Sequence, residues 1–209
     1  MITVIGNLKG GTGKSTVAFN LSLWLATHRN VHVMAYDFDP QATLSDAFEI
    51  RTEDGHSPQI TPINTVENLG NEGAYSEVIV DIGMSDMEAL KVALHKADRI
   101  IVPIGPSQAD VWSTQRFLKL LTENCNPDKR PKVFGLMNRA DTHHAVRETD
   151  EAYEALLTLS DHITMLEPRL YQRTVYRRSF SEGLAVFELD RKSKAANEIH
   201  QLGELLYQI

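Results

Sequence analysis

The chain has 209 residues, 42% of them hydrophobic, and a formal charge of −7 at pH 7. Length and composition suit one α/β domain covering residues 1–209, and the acidic balance excludes an overall polyanion-binding surface. No apolar run reaches the ~18 residues of a spanning helix, no secretory leader precedes the first strand-like run, and Cys125, the only cysteine, excludes an internal disulfide or a thiolate metal cage within one subunit and points to a reducing cytoplasm.

Ile2 to Ile5 reads as a buried strand, and Val17, Ala18, Leu21, Trp24 and Leu25 share one helical face, which predicts a helix over 14–27. Between them lies Lys9-Gly10-Gly11-Thr12-Gly13-Lys14-Ser15-Thr16. A glycine-rich turn between a strand and a helix is a phosphate cradle. Its backbone N–H groups converge, and the helix dipole adds positive potential. Lys14 can reach the β and γ phosphates, and the Ser15 hydroxyl can ligate Mg²⁺. The first glycine of the usual G-x-x-x-x-G-K-[ST] pattern is Leu8 here, and Lys9 stands inside the loop as a second lysine.

Residues 31–36 read as the next strand, ending in Asp37-Phe38-Asp39-Pro40-Gln41, with helix over 43–49 and then loops to residue 75 with a weak strand near Ile60. Val78-Ile79-Val80 is a strand ending in Asp81, followed by helix over 85–96. Residues 100–102, 132–137 and 163–166 are further strands, and 109–123 and 142–159 are helices. The remainder reads as two helices around a turn near Gly183. Strands alternating with helices predict a doubly wound, mainly parallel sheet with helices on both faces, in which ligands gather at strand carboxyl ends. The phosphate loop, Asp37 and Asp39, Asp81 and Gly83, and Asn138 all fall at such ends.

Asp81 has the placement of a Walker B carboxylate, which reaches Mg²⁺ through water. Asp37 and Asp39 are two apart and share a side of an extended segment. One can support the metal's water shell and the other can orient an attacking water, or the pair caps the following helix. Asn138-Arg139-Ala140-Asp141 can read a purine edge, or Asn138 caps a turn. His143 and His144 read as polar residues at a helix start. Residues 168–194 hold seven basic residues, among them Arg169, Arg173, Arg177, Arg178 and Lys192, against three acidic ones, a local +4. That segment is either a polyanion contact or a solvated helical surface.

The loop Lys9–Thr16 resembles the deviant Walker A motif of the ParA/MinD ATPases, and Asp37-Phe38-Asp39-Pro40-Gln41 resembles that family's switch I. Val78 to Asp81 resembles its Walker B strand. Val102 to Ser107 and Arg177 to Glu188 resemble the later segments of the ParA branch. The resemblance implies a P-loop fold and an ATPase using ATP and Mg²⁺, which works as an ATP-dependent sandwich homodimer. It casts Lys9 as the signature lysine that acts in trans, Lys14 as the lysine of the cradle, and Asp39 as the residue orienting water. It casts Ser15 as the direct metal ligand, with Asp37 and Asp81 in the metal network. The tail from Leu202 to Ile209 carries an acid and no base, which disfavours a membrane-targeting helix. A start at the ATPase strand is similar to short ParA proteins. These bind non-specific DNA when ATP-bound, and a ParB-like or other adaptor stimulates their hydrolysis. The resemblance thus implies a cytoplasmic protein, nucleoid-associated with ATP, whose DNA contact falls at Arg169, Arg173, Arg177, Arg178 and Lys192. The same engine could position a protein cargo, and a nucleotide-switched regulatory module without DNA binding is the third reading.

Overall fold

The computed structural model describes residues 1–208 apart from 72, 74, 76, 144 and 145. His144 and Ile209 therefore lie outside the described residues. Among the described residues seven strands form the sheet: β1 (Ile2–Gly6), β2 (Val33–Asp37), β3 (Glu77–Ile82), β4 (Arg99–Ile104), β5 (Lys132–Ala140), β6 (Thr164–Met165) and β7 (Leu170–Tyr171). Their order is β2-β3-β1-β4-β5-β6, with β7 also pairing with β5, and every pairing is parallel. The strands are buried on both faces, which is why they read as continuous apolar runs.

Alternation along the strands divides the core. Ile5, Ile79 and Ile101 face α1 (Lys14–Trp24), α2 (Thr43–Glu53), α6 (Thr174–Ser181), α7 (Val186–Leu189) and α8 (Lys194–Gln208). Val4, Val80 and Val102 face α3 (Met87–Lys96), α4 (Gln108–Asn124) and α5 (Glu148–Leu157). The last turn beyond α1, Leu25–Arg29, winds as π-helix, which gives the predicted longer helix its full length. α8 buries Ile199, Leu202 and Leu206, and Arg99 holds its end by lying 4.5 Å over the Tyr207 ring.

The differences from the sequence reading are local. The weak strand placed near Ile60 is a single bridge between Ile63 and Tyr36. α2 runs to Glu53, through residues read as loop. α5 begins at Glu148 rather than 142. The C-terminal region contains three helices and the two-residue strand β7, because β7 is too short to show alternation.

Candidate nucleotide-binding site

The carboxyl ends of β1, β3 and β2 lie side by side, with Asp37 in register with Asp81, and Asp81 with Ile5. The Lys9–Thr16 loop closes over these ends. Gly13 begins α1 at φ +87°, a left-handed conformation that glycine adopts freely. A Cβ there would stand 2.3 Å from Asn138 Nδ2, so the position also needs the missing side chain. Lys14 is buried at the N-terminus of α1, while Lys9, Gly10 and Gly11 remain partly or fully exposed.

The loop is braced at both ends. Asn7 donates to the Pro103 carbonyl at 2.8 Å, and its side-chain oxygen accepts from the Lys9 N–H and from the Ser113 hydroxyl. Asn138 donates to the Thr12 carbonyl at 2.7 Å, so its amide is engaged in holding the loop. Neither brace shows in the sequence, because each spans about half the chain. The Asn7 bond brings Lys9 against α4. There its ammonium lies 2.8 Å from Asp110 Oδ2, and Asp110 is itself tied to Ser107, the N-cap of α4. Asp110 is the site residue that sequence reasoning misses; the Ser-x-x-Asp spacing of a capping box was the available signal.

Asp37 is buried and caps α2 from a distance. Its Oδ2 accepts from the Ser45 N–H and hydroxyl at 2.9 Å each, and Oδ1 accepts from the Asp39 N–H. Capping therefore falls to Asp37 rather than to Asp39, and the remaining lone pairs stay available to a metal's water shell. Asp39 is partly exposed, with Oδ1 receiving the Gln41 N–H and Oδ2 turned toward Gly83. A Cβ on Gly83 would come within 2.9 Å of that oxygen.

Asp81 is fully buried, and no well-formed hydrogen bond from a described residue reaches either carboxylate oxygen. Burial pushes its pKa up to about 7, the nearby Ser15 hydroxyl and Lys14 pull it down, and Asp37 and Asp39 push it up. A buried carboxyl with two unsatisfied oxygens next to a serine hydroxyl and a phosphate cradle is chemically fitted to a hydrated divalent cation.

Beside Gly13 and Thr16 opens a cavity of about 310 Å³, walled by Asn138, Arg139, Tyr171, Arg173, Tyr176 and Arg177 among others. This divides the basic segment. Arg173 bonds Glu198 at 2.7 Å, Arg169 bonds Asp150 at 2.6 Å, and Arg178 bonds Glu182 at 2.9 Å. Arg177 is exposed on the cavity wall and Lys192 is exposed before α8, and neither has an ion-pair partner among the described residues. Five residues grouped by sequence are thus three arginines paired to acids within the chain, one exposed arginine on the cavity wall, and one exposed lysine without an ion-pair partner among the described residues.

Residues 3–186 match the family described as the CobQ/CobB/MinD/ParA nucleotide binding domain. The chain belongs to this ParA/MinD family. It is 28% identical over 206 residues to maintenance of carboxysome distribution protein A of Halothiobacillus neapolitanus, covering 95% of this chain and 92% of that one. It is 27% identical over 202 residues to protein ParA of Rhizobium radiobacter, covering 94% and 88%. Among solved structures, an ATP complex of an aspartate variant of Cyanothece McdA superimposes with a TM-score of 0.79 at 16% identity, covering 98% of this chain and 95% of that one. This is a ParA/MinD-type ATPase, and its cofactors are ATP and Mg²⁺. When bound, Mg²⁺ would supply charge neutralisation at the phosphates, and Ser15 and Asp81 are the residues that would hold it.

Proposed function

We propose that this ATPase is an ATP-gated homodimer that binds DNA without sequence preference and drives partition of plasmid or chromosomal DNA, with hydrolysis stimulated by a ParB-like or other adaptor. The observation that carries this reading is the position of Lys9. A one-subunit phosphate cradle has its lysine in Lys14, yet a second lysine stands at the mouth of the loop on a side chain 40% exposed. From there it can exchange Asp110 for the phosphates of a facing subunit, in the role of an arginine finger.

In the monomer, Lys14 and the loop amides hold the phosphates, and Asn138 and Asn7 fix the loop. Asp39 orients water at the γ phosphate, and Gly83 leaves room for its carboxylate. Phosphoryl transfer needs positioning and charge stabilisation more than covalent chemistry. Lys9 of the facing subunit completes the charge, so hydrolysis is coupled to the dimer.

Arg191, Lys192 and Lys194 are exposed around the start of α8 and support a DNA contact there, away from the arginines already paired. Two copies in a dimer double such a patch, and binding through phosphates falls steeply with salt. No helix among the described residues is long and apolar enough to cross a membrane. The apolar side of α8 packs inward, which leaves it no free face for a membrane surface.

The relative from H. neapolitanus favours a second reading, in which the same engine positions a protein cargo. Binding of random-sequence DNA measured with ATP, with ADP and without nucleotide tests the shared part of both readings. DNA binding that requires ATP and not ADP supports it, and DNA binding indifferent to nucleotide contradicts it.

A further inference from the structure

We propose that Arg139 is a second binding cation for the nucleotide's phosphates, acting within the same subunit as Lys14; this rests on the nucleotide-site reading above. Three observations converge on it. Arg139 has φ +55°, in the left-handed region that glycine occupies freely and arginine does not. The pairing of β5 with β7 is irregular between Asn138 and Ala140, so the extra residue is Arg139 itself. Such a bulge re-aims a side chain, and bulges recur beside active sites.

The consequence is geometric. Along a regular strand, Asn138 and Arg139 would point to opposite faces of the sheet. Here Asn138 reaches the Thr12 carbonyl, and Arg139 also leans over the loop, its Nη1 lying 4.0 Å from where a Cβ on Gly11 would be. Gly11 is part of the cradle whose amides face the phosphates. The guanidinium is exposed on the wall of the 310 Å³ cavity and has no ion-pair partner among the described residues. Arg169, Arg173 and Arg178, by contrast, are each matched to a carboxylate within the chain. A planar, permanently charged group held open over a phosphate cradle is suited to phosphate oxygens. The alternatives are that the residue serves only the turn, stacks on the base, or contacts DNA.

Titration of the protein with a fluorescent ATP analogue and Mg²⁺, with random-sequence DNA binding measured beside it, separates these. The variants are Arg139→Lys, Arg139→Gln and Arg139→Gly, with Lys14→Ala beside them. Arg139→Gly relieves the left-handed backbone, so its fold is secure. If the charge matters, Gly and Gln each weaken ATP binding about tenfold or more while Lys retains most of the affinity. Wild-type affinity in Arg139→Gly overturns the proposal in favour of a turn residue. Wild-type affinity in Arg139→Gln overturns it in favour of a planar stacking group. Unchanged ATP affinity with lost DNA binding moves the residue to nucleic acid and also overturns it. If Lys14→Ala loses ATP while the Arg139 variants do not, only this proposal fails; if Lys14→Ala binds normally, the cradle reading fails with it.

Discussion

Lys9 and Asp110, 101 positions apart, form an ion pair of 2.8 Å at the mouth of the phosphate loop. Lys9 is the partly exposed member of the pair and Asp110 the buried one, so the lysine end can swing away while the carboxylate stays in place. The bond is therefore easily exchanged. Asp110 stays satisfied when Lys9 leaves, because Ser107 and the N-terminus of α4 still face it. Lys9→Ala is expected to bind ATP as a monomer but to lose the ATP-induced dimer and its turnover. Asp110→Asn, which loosens the resting contact, should shift dimer formation to lower ATP concentration. Sedimentation across an ATP series reads both, and a normal dimer in Lys9→Ala contradicts the trans role.

Lys14 differs from Lys9 in being buried at the start of α1. Lys14→Ala removes the charge in the cradle itself and is expected to abolish ATP binding in a calorimetric titration. Tight binding by this variant would be incompatible with the cradle.

Asp39 Oδ2 lies against Gly83, where an added Cβ would come within 2.9 Å of it. Asp39→Ala should bind ATP, fail to hydrolyse it and accumulate as the dimer. Gly83→Ala places a methyl 2.9 Å from Asp39 Oδ2 and should slow hydrolysis by displacing that carboxylate, with ATP affinity little changed. Single-turnover kinetics separates the two steps; unchanged rates in both variants would remove Asp39 from water positioning.

Asp81 gives the metal-free protein a distinctive pH response. Its pKa in the fold is about 7, raised by burial from an ordinary 3.8. The unfolded chain therefore releases this proton first. The group's relative stabilisation is complete below the ordinary value, declines as pH rises, and is gone above about 7. Asp81→Asn, neutral throughout, should lack that decline. Urea unfolding at pH 5, 6, 7 and 8 without nucleotide compares them, and parallel pH curves would contradict the burial of an uncompensated carboxyl.

Arg177 and Lys192 are expected to separate two functions that the sequence places in one patch. Arg177→Glu should weaken ATP binding, since Arg177 lines the cleft beside Thr16. Lys192→Glu should leave monomer ATP affinity intact, weaken DNA binding and reduce its salt slope by about one per subunit. Equal effects of both on DNA alone would return Arg177 to the DNA surface.

The order of strands and helices was legible because each buried strand is an apolar run ending in a polar residue with chemistry, as with Val78 to Asp81. The phosphate loop and Asp37-Phe38-Asp39 were legible as local patterns. What eluded the sequence was contact between distant segments. Arg51 is fully buried and binds Glu188 with both nitrogens of its fork, the Gly183 carbonyl, and the carbonyls of Ser57 and Pro58, joining α2 to α7. Nothing in the helical pattern of α2 marks it as different from a surface arginine. The pairing within the basic segment was hidden for the same reason: charge could be counted, but the acids that pair with Arg169 and Arg173 come from α5 and α8.

The most direct measurement mixes two inactive variants, Lys9→Ala and Asp39→Ala, at saturating ATP and Mg²⁺. If Lys9 acts across the dimer, a mixed dimer has one complete site. That site has Asp39 from the Lys9→Ala subunit and Lys9 from its partner, so the mixture regains turnover that neither variant shows alone. If Lys9 acts within its own subunit, neither chain can complete a site, and the mixture stays as inactive as its components.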